Sequence, residues 1–88
     1  MTKTAIVSPD LLSKISSQPM KHRDVLIICT EDIEQIKIDM EKLGIRISDQ
    51  MAELRILKAK IDYNDLVKLQ GIPGIELIET DEEAQVFQ

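Results

Sequence analysis

From Val25 onward the apolar residues change their spacing segment by segment, and that succession constrains the fold more than any other feature of the chain. Val25-Leu26-Ile27-Ile28-Cys29 is an unbroken apolar run rich in β-branched side chains, the pattern of a buried strand. Ile33, Ile36, Met40 and Leu43 then recur at helical spacing, with Gly44 placed to stop the helix and Ile38 off the stripe. Thr30 offers an N-cap, with Glu31 and Asp32 at the positive end of the helix dipole. Ile45 and Ile47 alternate with Arg46 and Ser48, and Leu57, Ala59 and Ile61 alternate with Lys58 and Lys60, giving two further strands. Asp62 is a second N-cap, and Leu66, Val67 and Leu69 mark a short helix closed by Gly71 and Pro73. Ile75, Leu77 and Ile78 form a last strand. The spacing predicts strands near 24–29, 45–51, 55–61 and 75–80, and helices near 31–43 and 63–70. That order is the α+β, split βαβ arrangement of a ferredoxin-like sandwich: a four-stranded antiparallel sheet, two helices on one face, and the other face open.

Residues 1–23 read differently. Ser8-Pro9-Asp10 is a helix start, with Ser as N-cap, Pro at the first helical position and an acid in the first turn. Leu11, Leu12 and Ile15 share one face of that helix. A helix so short is unstable in isolation, so the segment either frays as a partly ordered tail or docks, and the open sheet face is a candidate dock. The expected organisation is an N-terminal extension at 1–23, a ferredoxin-like domain at 24–81 and an extended tail at 82–88.

The 88 residues carry sixteen acids and eleven bases, a net charge of −5. This balance opposes the phosphate backbone of nucleic acids, whose recognition requires Lys and Arg. Tyr63 and Phe87 are the only aromatics, so the stacking residues of RNA-binding sheets with this strand order are missing. No apolar run reaches the ~20 residues of a membrane span, and the N-terminus lacks signal-peptide character. The single cysteine, Cys29, suits a reducing compartment, and a cytoplasmic protein is expected. Catalysis is not expected either. The one histidine, His22, stands between Lys21 and Arg23 and reads as part of a solvated basic linker. Cys29 has no basic sequence neighbour to lower its pKa. No CxxC, HxxxH or phosphate-binding Gly-rich loop is present, and neither a metal nor a cofactor is expected.

The stretch "EDIEQIKIDMEKLGIRI" and, above all, the ending "LQGIPGIELIETDEEAQVF" carry a family resemblance. Over about residues 25–88 the chain resembles the propeptides and stand-alone inhibitors of subtilisin-like serine proteases. Pro73-Gly74-Ile75-Glu76-Leu77-Ile78-Glu79-Thr80-Asp81 matches a family pattern in which a turn leads into a V-x-x-V-E-x-D strand and then an extended tail. The resemblance implies that the open sheet face packs on two surface helices of the protease. It implies that Glu79 and Asp81 cap the N-termini of those helices, and that residues 82–88 cross the cleft as an added strand. Ala84 would then fill an upstream pocket and Phe87 the primary specificity pocket, with Gln85 and Val86 between them. Gln88 extends one residue past the usual family end, so either Phe87 or Gln88 takes the primary pocket. Residues 1–23 have no counterpart in the family pattern.

A second expectation belongs to another class of function. The same fold serves as a non-catalytic interaction or regulatory module that self-associates through its sheet, so the chain is read as a monomer or a homodimer.

Overall fold

The computed structural model describes residues 5–30 and 32–81. Its strands are β1 (Ile6–Val7), β2 (Arg23–Cys29), β3 (Ile47–Met51), β4 (Ile56–Ile61) and β5 (Ile75–Thr80). Its helices are α1 (Pro9–Ser17), α2 (Ile33–Lys42) and α3 (Tyr63–Leu69), with a 3₁₀ turn at Ala52–Leu54. The strands form one sheet in the order β1-β5-β2-β4-β3. Pairing is antiparallel except between β1 and β5, which run parallel with Ile6 opposite Leu77 and Val7 opposite Ile78.

This corrects the expected architecture. The sheet has five strands and mixed direction, and three helices accompany it, so the four-stranded antiparallel ferredoxin-like sandwich with two helices is not what the chain forms. The difference arises in residues 5–17. Ala5 is buried, Ile6 and Val7 extend along the outer edge of β5, and the Ser8 amide donates to the Ile78 carbonyl at 2.9 Å. An edge that would have offered unpaired backbone groups is thereby partly sealed.

α1 begins as its sequence dictates. Ser8 Oγ accepts from the Leu11 amide at 3.3 Å, and Pro9 occupies the first turn, where its missing N–H costs nothing. Its side of the sheet is set by three contacts. Leu11 and Ile15 are fully buried in the same core as Val25, Ile27, Leu57, Ile61 and Ile78. Thr80, on that same sheet face, donates its hydroxyl to Asp10 Oδ2 at 3.3 Å. α1 therefore joins α2 and α3 on one face, and does not cover the opposite one. One core runs from Ala5 to Ile78, across the boundary expected at residue 23.

The other elements show where local signals hold and where they slip. α2 is capped by Asp32, whose Oδ1 accepts from the Glu34 amide at 3.1 Å, so the helix starts two residues later than a Thr30 cap would set. The Thr30 hydroxyl instead donates to the Gly74 carbonyl across the sheet end at 3.2 Å. The Glu31 assignment lies outside the described residues. Ile33, Ile36 and Met40 are buried, whereas Leu43 is the C-cap and stays exposed. Gly44 follows with φ +79°, the left-handed stop that glycine adopts without a Cβ penalty. The connection between β3 and β4 holds no Gly, Asn or Pro and forms the 3₁₀ turn, which ends with Arg55 itself left-handed at φ +56°.

Candidate functional site

Strand parity divides the side chains of the sheet into two sets. Val25, Ile27 and Cys29 of β2, Leu57, Ala59 and Ile61 of β4, and Ile78 and Thr80 of β5 face the helices. The residues between them face the other way, and among the described residues no helix or strand covers them.

Cross-strand register arranges this open face in rows. Ile6, Leu77, Ile28, Ile56 and Met51 stand side by side across all five strands, an apolar row. In the next row Leu26 is flanked by Glu79 on β5 and Lys58 on β4, with Asp49 beyond Lys58 on β3. In the third, Asp24 stands beside Lys60, and the Asp81 amide donates to the Asp24 carbonyl at 3.1 Å. Leu26, Ile28, Ile56 and Leu77 are partly exposed and Ile6 is 56% exposed. A contiguous apolar strip of this kind on a small domain marks an interaction surface more often than an accident of sequence.

The site residues expected from sequence are placed as follows. Glu79 lies on the open face and is partly exposed. Asp81 is buried, and its Oδ2 lies 3.8 Å from Lys58 Nζ, so its carboxylate is engaged within the chain. Ala84, Gln85, Val86, Phe87 and Gln88 lie outside the described residues. Sequence reasoning did not reach Leu26, Ile28, Ile56, Leu77 and Lys58 as site residues. The parity of each strand was visible, but which parity faces the helices follows only from pairing and from the side taken by α1.

Two other places gather polar or charged side chains. His22 Nε2 lies 3.8 Å from Asp62 Oδ2 and 3.9 Å from Asp65 Oδ2, and these three side chains bring ligand-type atoms within 4.8 Å of one another. Both carboxylates already serve α3 as a capping box: Asp62 Oδ1 accepts from the Asp65 amide at 2.8 Å, and Asp65 Oδ2 from the Asp62 amide at 3.3 Å. The positive end of the helix dipole also opposes a cation there. The cluster is a stitch between the α1–β2 linker and α3, reinforced by the Tyr63 amide donating to the Pro19 carbonyl at 3.1 Å. A groove of about 520 Å³ lies between α2 and β3, and its lining includes two bases, Lys37 and Arg46, and two acids, Glu41 and Asp49. Burial of Cys29 pushes its thiol up to about 11, which keeps it protonated.

The capping box makes a stability prediction. The Asp65 amide hydrogen bond, aided by His22, holds the Asp62 carboxyl below the usual carboxylate range. A depressed folded value contributes stability that is complete above the unfolded value and is lost as pH falls through the folded one. Asp62→Ala is expected to cost ~1 kcal/mol at pH 7 and progressively less in acid, below the ordinary value of 3.8. Urea melts of both proteins at pH 7 and pH 2.5 check this; a cost that stays constant between the two contradicts it.

No helix among the described residues is long and apolar enough to cross a membrane. Comparison of the chain with protein-family models, curated proteins and solved structures gives no match.

Proposed function

We propose that this chain is a non-catalytic binding protein that presents the open face of its sheet to another protein, after the manner of the propeptide-type inhibitors of subtilisin-like proteases that its sequence resembles. The observation that carries the reading is the position of α1. By packing with α2 and α3, it leaves Leu26, Ile28, Ile56 and Leu77 accessible, where a helix across that face would have blocked docking.

Glu79 stands on that face beside Leu26, in position to receive the N-terminus of a partner helix. Asp81 is held by Lys58 and contributes to such capping only by leaving it. Residues 82–88 follow Asp81 directly in sequence, and they are the segment that the resemblance assigns to the protease cleft.

Titration of a subtilisin-type protease with the purified chain tests the reading. Inhibition at micromolar concentration or below is expected. Deleting residues 82–88 should remove most of it while changing folding stability by less than ~0.5 kcal/mol. Phe87→Ala should weaken inhibition by ~2 kcal/mol if the ring fills a desolvated pocket. Glu79→Gln should weaken it by about 1 kcal/mol, and Asp81→Asn by less. An intact chain that does not inhibit, or a tail deletion that inhibits equally well, refutes the protease as target.

A further inference from the structure

The open face is self-complementary in residue type about its central strand, apolar against apolar and acid against base. β5 contributes Leu77 and Glu79 on one side of β2, and β4 contributes Ile56 and Lys58 on the other. Row by row, an apolar residue balances an apolar one, and an acid balances a base. We propose that a second copy of this chain packs face to face on the open sheet, about a two-fold axis lying along β2. The proposal rests on the reading that this face is the working surface, and it names a partner for it.

The axis follows from the register. A two-fold rotation about the direction of β2 keeps each row at its own height and exchanges left with right. Glu79 of one copy then meets Lys58 of the other, Leu77 meets Ile56, and Ile6 meets Met51, while Asp81, buried and held by Lys58 of its own chain, stays out of the contact. Leu26 and Ile28 meet their own counterparts on the axis. Asp24 does too, an unfavourable contact that Lys60 beside it in the same row offsets. An in-plane axis perpendicular to the strands would instead lay β4 on β4 and β5 on β5, setting bases against bases and acids against acids. Charge therefore selects the first axis, which also gives the nearly aligned strands of packed sheets. Lys58 is already bonded to Asp81 within each chain, so Glu79 joins an existing ion pair and forms a network across the interface.

The contact is small. Five strands at a spacing of ~4.8 Å make a face on the order of 20 Å wide, which places the dimer among weak, reversible associations. A protease bound to the same face would compete with the second copy.

Sedimentation of the full chain from ~1 µM to ~1 mM is expected to show a reversible dimer, as an interface of this class does. Leu26→Lys, which places two like charges on the axis, should weaken it more than ~30-fold. Glu79→Lys and Lys58→Glu should each weaken self-association ~10-fold, because each sets like charges across the interface. An equimolar mixture of those two should recover a heterodimer, since both cross-contacts again join opposite charges. Thermal melts confirm that each variant folds, and Leu77→Ala, which spares the helix-side core, gives an independent reading of the same face. A chain that is monomeric at ~1 mM, a dimer indifferent to both Leu26→Lys and Leu77→Ala, or folded charge variants that do not recover on mixing would overturn the proposal. A chain that inhibits a protease yet never dimerises overturns the second copy alone. One that dimerises without inhibiting overturns the protease reading alone.

Discussion

A chain beginning at Lys21 is expected to lose most of its stability, with a thermal midpoint more than ~20 °C below that of the full chain. The truncation removes Leu11 and Ile15, both fully buried, together with Ala5, Val7 and the β1 pairing along β5. Burial of side chains like Leu11 and Ile15 contributes ~1.5–3 kcal/mol each. It also strips cover from Ile78 and leaves Thr80 without Asp10. Domains of this size are stable by only ~5–15 kcal/mol in total, and each kcal/mol moves the midpoint by ~4–8 °C. Leu11→Ala alone should cost ~2–5 kcal/mol, since the cavity lies at the centre of a packed layer. Calorimetry of the full chain, the truncated chain and Leu11→Ala decides the matter. A truncated chain that melts within a few degrees of the full one would show that residues 5–17 are an appendage and not part of the core.

What could be read in advance, and what could not, follows from the range of the interactions involved. Segments that carry their own period were legible to within a few residues: the apolar run at Val25, the alternation around Leu57, the stripe from Ile33 to Met40, the stop at Gly44 and the cap at Asp62. β1 was not, because two residues carry no period; Ile6 and Val7 become a strand only through pairing with Leu77 and Ile78 of β5, far along the chain. That missing strand turned an antiparallel sheet into a mixed one. The helical start at Ser8 was visible, but the face that α1 covers was not, since Leu11 and Ile15 fit either apolar side of the sheet equally well. The pairing of His22 with Asp62 and Asp65 has no sequence signal at all, although the Asp62-x-x-Asp65 box itself does. The candidate site was legible at Glu79 only. Its apolar row depends on cross-strand register, which a single strand does not carry.

Register also gives the sharpest separation of folding from binding, on two adjacent residues of β2. Ile27 points into the core between Leu57 and Ile78 and is fully buried. Ile27→Ala should cost ~2–5 kcal/mol of stability, with the upper part of that range expected because strands on both sides hold the cavity open. Leu26 is its immediate neighbour, flanked by Lys58 and Glu79, and only partly buried on the open face. Leu26→Ala should cost about 1 kcal/mol or less in folding, because most of what it loses is surface that water already reaches. Its effect belongs instead to association: removing a side chain from the centre of the apolar strip should weaken any partner of that face by ~2 kcal/mol. Chemical denaturation paired with a binding or sedimentation measurement on the same two variants reads both terms. If Leu26→Ala unfolds the chain as readily as Ile27→Ala, the face is covered in solution and every functional reading built on its openness falls with it. If stability and association part as expected, the alternation of one strand is sufficient to tell which side of this protein folds it and which side works.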